Sequence, residues 1–117
     1  MNAGVLTALQ DAIKKWRQIE RGEMLDMGPE NCPLCWEFYA SGCEGCPVME
    51  QSGYSGCRNT PYDNEWVGVA TSVTLPTDHG AAYCTRVMYA GSTAAVHAAR
   101  AERKFLESLL PKERSKS

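Results

Sequence analysis

Histidine is scarce in this chain of 117 residues: His79 and His97 are the only two, and both follow the main group of cysteines. A zinc deaminase needs H-x-E ahead of P-C-x-x-C, so that chemistry is excluded. No stretch approaches the roughly 18 consecutive apolar residues of a membrane-spanning helix. The opening residues, Met1 to Leu6, have no basic segment, no long apolar run and no small-residue cleavage site. They lead directly into Asp11, Lys14 and Lys15, so no signal peptide is expected and the reading is a soluble, cytoplasmic protein with no membrane partner. There is no internal repeat and no low-complexity tract. Gly91-Ser92-Thr93 lacks the lysine and the glycine-rich loop of a phosphate site and reads as a helix cap. A thiol nucleophile built from Cys84 with His79 or His97 has no local signature, and Cys84 is expected to be a small core residue. No catalytic residues are expected.

Positive charge is also missing from the middle of the chain. Residues 22–65 hold one base, Arg58, against eight acids: Glu23, Asp26, Glu30, Glu37, Glu44, Glu50, Asp63 and Glu65. That segment is therefore net −7, whereas residues 1–21 are net +2 and residues 100–117 net +3. The whole chain carries −2, with 44% hydrophobic and 22% charged residues, which places it among ordinary globular proteins of one domain.

The acidic segment holds five of the six cysteines, spaced Cys32-x2-Cys35-x7-Cys43-x2-Cys46-x10-Cys57. In a reducing cytosol clustered cysteines are metal ligands more often than disulfides. A C-x2-C pair puts two sulfurs on one tight turn within reach of one ion, and two pairs complete a tetrahedron. Pro33 and Pro47 stiffen those turns, and Gly42 and Gly45 let the backbone bend around the ion. Five candidates compete for four positions. Either both pairs ligate and Cys57 is spare, or Cys57 replaces a member of the second pair, Cys43 before Cys46. Cys57 stays among the candidates because it lies just ahead of the helix start at Thr60, where a thiolate is favoured. Four thiolates would close the site, so the expected cofactor is a structural zinc ion. An iron–sulfur cluster is the alternative, although the C-x2-C-x2-C run of bacterial ferredoxins is absent.

Around this segment the periodicity predicts a small, mainly α protein. Leu6, Leu9, Ile13 and Trp16, widened by Val5 and Ile19, mark an amphipathic helix over 4–21, with Lys14, Lys15, Arg17 and Arg21 opposite and Gly22 as the stop. Residues 23–59 read as irregular, organised by the metal. Thr60-Pro61-Tyr62-Asp63 is a helix start. Val67, Val69, Thr71, Val73 and Leu75, then Tyr83, Thr85, Val87 and Tyr89, alternate about a turn at 76–80, so 67–89 forms either a β-hairpin or two short helices. A helix is predicted over 93–110, capped by Ser92 or Thr93, with Ala95, Ala98, Ala99, Glu102, Phe105, Leu106, Leu109 and Leu110 on one face and Pro111 as the stop; a disordered tail over 111–117 follows.

Three segments together carry a resemblance: Cys32-Pro33-Leu34-Cys35; Cys43-Glu44-Gly45-Cys46-Pro47-Val48; and Gly53-x3-Cys57-x2-Thr60-Pro61-Tyr62. With the closing Glu102-x2-Phe105-Leu106-x2-Leu109-Leu110-Pro111, the pattern resembles small cysteine-rich proteins of tailed bacteriophages and prophages. The resemblance covers residues 32–62 and the last helix; it implies a phage or prophage origin, a metal site and a host-cell cytoplasmic location, and it implies no activity. Three functions stand as expectations, two of them binding roles. One is a protein-binding module whose acidic loop presents Trp36, Phe38, Tyr39 and Tyr54, unless those aromatics cover the metal. The other is a nucleic-acid binder using Lys14, Lys15, Arg17, Arg21, Arg100, Arg103 and Lys104, which the acidic cysteine segment disfavours. A redox or sensing role through an iron–sulfur cluster is a third.

Overall fold

A computed structural model describes residues 3–27, 31–38, 45–53, 60–77 and 80–111. Helix α1 (Ala3–Glu20) turns a mixed stripe of Ala8, Leu9, Ala12, Ile13, Trp16 and Ile19 to the interior. It stops where expected. Gly22 adopts φ +76°, open to glycine at little cost. Its N–H bonds the Ile19 carbonyl at 3.0 Å and the Glu23 N–H bonds the Gln18 carbonyl at 2.8 Å, the two-bond Schellman closure.

Helix α5 (Thr93–Glu107) packs beside α1. Ser92 caps it, its hydroxyl accepting from the Ala95 N–H at 3.1 Å. Ala95, Ala98 and Ala99 are buried, as are Ala8 and Ala12 of α1, so small side chains let the two helices approach. Ion pairs close the edge of this contact. Glu20 accepts from Arg100 Nε and from Arg103 Nε, each at 2.7 Å, and Glu107 accepts from Arg103 at 3.1 Å and Arg17 at 3.3 Å. The Arg103 guanidinium, with Arg100 beside it, holds the Glu20 carboxyl below its ordinary range despite burial.

The cysteine segment is more regular than its composition implies. It holds two short helices, α2 (Pro33–Phe38) and α3 (Pro47–Ser52), each begun by a proline at the first helical position. The stretch after Thr60 is helical too: α4 is a π-helical turn, Tyr62–Trp66, that continues as one α turn, Val67–Val69. Here the Val67 N–H reaches back five residues to the Tyr62 carbonyl. Trp66 and Tyr62 both meet Trp16 edge-on, with ring centroids 5.2 and 5.7 Å away.

Strands β1 (Thr71–Thr77) and β2 (Gly80–Tyr89) resolve the alternative left open by the sequence in favour of a hairpin, beginning four residues later than 67. They run antiparallel with Thr71 opposite Tyr89, Val73 opposite Val87 and Leu75 opposite Thr85, the same residues whose alternation marks the strands. The protein is thus small and mainly α with one short two-stranded sheet.

One residue joins these parts. Asp26 pairs with Met88 of β2 through both backbone groups, N–H to carbonyl at 2.8 Å and carbonyl to N–H at 2.9 Å. Its side chain is 0% exposed; Oδ1 accepts from Lys15 Nζ at 3.0 Å and Oδ2 from Trp66 Nε1 at 2.9 Å. Lys15, placed by charge on the outer face of α1, is only 4% exposed. It shares a helix stripe with Ala8, Ala12 and Ile19, and a buried lysine on such a stripe requires an acid partner.

Replacing Asp26 by alanine leaves an ammonium and an indole N–H buried without their acceptor. Asp26→Ala should cost about 3–5 kcal/mol. The double variant Lys15→Met/Asp26→Asn, which removes the charge and keeps an oxygen for Trp66, should recover more than half of that. Urea denaturation with an unchanged slope measures both.

Candidate metal centre

The first cysteine pair is a product of how α2 begins. Cys32 stands immediately before Pro33, and its carbonyl accepts the Trp36 N–H at 3.1 Å, so Cys32 occupies the cap position. Cys35 lies three residues on, in the same turn, and its thiol donates to the Cys32 sulfur. That hydrogen bond is the main reason the Cys32 thiol falls from 9.0 to about 6; the Lys15 ammonium and the N–H groups of Cys35 and Leu34 add to it, and burial opposes it. The shift favours the thiolate form of Cys32, the state in which sulfur binds a soft cation.

The second pair is represented by Cys46. It precedes Pro47 and α3 just as Cys32 precedes Pro33 and α2. Gly45, at φ +87°, turns the chain into that position, and a Cβ there would stand 3.4 Å from the Phe38 ring. Cys46 belongs to the buried cluster that includes Leu34 and Val48, and Cys32 packs against that same cluster. Cys32, Cys35 and Cys46 are thiols rather than disulfides. Cys43 and Cys57 lie outside the described residues, as do Tyr39, Tyr54 and the tail from Lys112. Among the described residues no three His, Cys, Asp or Glu side chains gather closely enough to hold a metal ion. The structure therefore brings two of the five candidate ligands, Cys32 and Cys35, into contact and places a third at the same core. A donor set of thiols, two on one helix turn and a third at the same core, fits zinc in chemistry.

Behind the pair lies a buried polar group that charge counting missed. Glu102 of α5 is 2% exposed, and its Oε1 accepts the Tyr62 N–H at 3.0 Å. Burial raises its carboxyl from 4.5 to about 8; the Tyr62 N–H opposes this, the Cys32 thiolate raises it, Lys15 lowers it and Asp26 raises it. Cys32, Lys15, Asp26 and Glu102 thus share one electrostatic neighbourhood. The sequence held a signal for Glu102: it stands four residues after Ala98 and four before Leu106, on the packing face of α5.

Of the remaining singled-out residues, His97 is exposed on α5, and Cys84 sits on β2 opposite Pro76. Trp36 is exposed and Phe38 partly buried against the core. No helix among the described residues is long and apolar enough to cross a membrane. No protein-family model, curated protein or solved structure matches the chain.

The two shifted groups make opposite contributions to stability in the metal-free protein. Glu102, raised from 4.5 to about 8, stabilises fully below pH 4.5 and loses that contribution as the pH rises to about 8. Cys32, lowered from 9.0 to about 6, contributes above pH 9 and loses it as the pH falls to about 6. Glu102→Gln removes only the first. The stability of the natural chain minus that of the variant should therefore fall by roughly 1.4 kcal/mol per pH unit across that carboxyl window. Urea midpoints in chelator and reductant measure it; a pH-independent difference would refute the assignment.

Proposed function

We propose that this chain is a zinc-stabilised accessory protein, of the kind tailed phages and prophages encode, that acts by binding another protein. The observation that carries the reading is the Cys32–Cys35 turn: two thiols on one turn at the start of α2, the first lowered chiefly by a hydrogen bond from the Cys35 side chain. Cys46 at the same core, with Cys43 or Cys57, would supply the remaining sulfurs. A zinc ion bound there supplies no reactive position, because four thiolates saturate it; it fixes the fold of the segment between α1 and α4.

Charge supports a protein partner over a nucleic acid. Lys15, Arg17, Arg100 and Arg103, four of the seven bases that a nucleic-acid binder would use, bind this chain's own acids, Asp26, Glu107 and Glu20. The cysteine segment is net −7, and four thiolates on one zinc add −2. That surface would repel phosphates.

Protein purified under reducing conditions should carry about one zinc per chain, and cobalt(II) should replace it with the strong thiolate-to-metal bands of a tetrahedral sulfur site. Cys32→Ser and Cys35→Ser should lose the metal. Chelation should lower the melting midpoint by at least about 10 °C, the shift that about 2 kcal/mol produces in a domain of this size. A brown protein containing iron and acid-labile sulfide would replace zinc by a cluster, and a well-folded metal-free protein would end the proposal.

A further inference from the structure

An open groove runs between the first turns of α1 and the helix α2 that carries the cysteine pair. Its α1 side is built from small residues, Gly4, Thr7 and Ala8, and its α2 side carries Trp36, whose surface is 76% exposed. Trp16 and Trp66, by contrast, are buried. Water contact over that much indole is unfavourable, and an indole face with small residues opposite leaves room for an inserted side chain. Two exposed carboxylates, Asp11 and Glu37, line the same groove, and neither forms an ion pair among the described residues. The arginines that do pair, Arg17, Arg100 and Arg103, lie on the α1–α5 edge.

We infer that this groove is the docking site for a cationic segment of a partner protein, an arginine or lysine side chain stacking on Trp36, with Asp11 and Glu37 as the carboxylates of the same groove. The inference deepens the protein-binding reading and rests on it, since the bound zinc adds to the negative field of the segment that holds Trp36 and Glu37. A guanidinium on an indole gains from the ring quadrupole, and flanking carboxylates add charge-assisted hydrogen bonds. The strongly negative field also steers cations toward this side of the molecule. The backbone amides of the first turn of α1 sit at the Gly4 end and disfavour a cation there.

The test uses full-length 15N-labelled protein whose zinc content has been measured first, titrated with a capped hexa-arginine peptide and, separately, capped hexa-glutamate. Hexa-arginine should shift the Trp36 indole resonance and the amides of Thr7 and Asp11, while hexa-glutamate shifts none of them. Trp36→Ala should weaken binding about tenfold, and so should Asp11→Asn/Glu37→Gln. Glu50→Gln, which removes an exposed acid of α3 outside the groove, should leave it unchanged. Shifts spread over the whole acidic surface, affinity insensitive to Trp36→Ala, or concentration-dependent shifts without peptide (a second copy filling the groove) would each overturn the inference. A metal-free protein that still binds hexa-arginine in the groove would sink the zinc reading and leave the docking site standing. A zinc-loaded protein without localised shifts would do the reverse.

Discussion

The Asp26 carboxylate, buried and shared between the Lys15 ammonium and the Trp66 indole, is the constraint on which the rest of the architecture depends. In a low-dielectric interior a charge survives only if its partners are fixed, and fixed partners in turn fix the elements that carry them. Lys15 belongs to α1, Trp66 to the π turn of α4, and the backbone of Asp26 is a one-residue third strand beside β2. Three elements distant in the chain therefore share one residue. Hydrophobic burial of the tryptophans and alanines drives collapse, but it is non-directional. The Asp26 bonds are directional and select one arrangement of helix, π turn and hairpin.

The same charges reach the cysteine pair. Lys15 lowers the Cys32 thiol and, from the other side, moderates the rise of Glu102. Counted formally, the neighbourhood holds one ammonium, the Asp26 carboxylate, the Cys32 thiolate and a Glu102 carboxyl that is neutral below about pH 8. Protonation of Glu102 spares the interior a third negative charge beside a single cation, which is the arrangement burial favours. A divalent ion held by four thiolates would leave the sulfur site formally −2, a charge that Lys15, Asp26 and Glu102 would feel together.

Much of the frame was legible in the sequence because it follows from periodicity and local chemistry. The stripe of Leu9, Ile13 and Trp16, the Gly22 stop and the Ser92 cap each state a local rule that the structure obeys. Alternation around Val73 and Val87 likewise marks the paired strands, although it could not exclude short helices before the pairing was seen. The buried polar residues were legible only in part. Glu102 falls on the packing face of the last helix by its spacing, whereas Lys15 looks like a surface charge and Asp26 sits among acids in a segment with no period at all. Their placement depends on partners 11 to 62 residues distant. The π turn was hidden too, because Tyr62 and Trp66 are spaced as in any α-helix. Of the cysteine site, the sequence showed the two pairs, and the structure adds the reason the first is chemically primed: a helix cap, two amides and a neighbouring thiol.

X-ray absorption at the zinc edge of the purified protein tests the central claim most directly. The account requires a first shell of four sulfurs at about 2.3 Å with no oxygen or nitrogen. A shell of light atoms, or no zinc signal from a protein that remains folded, would contradict it.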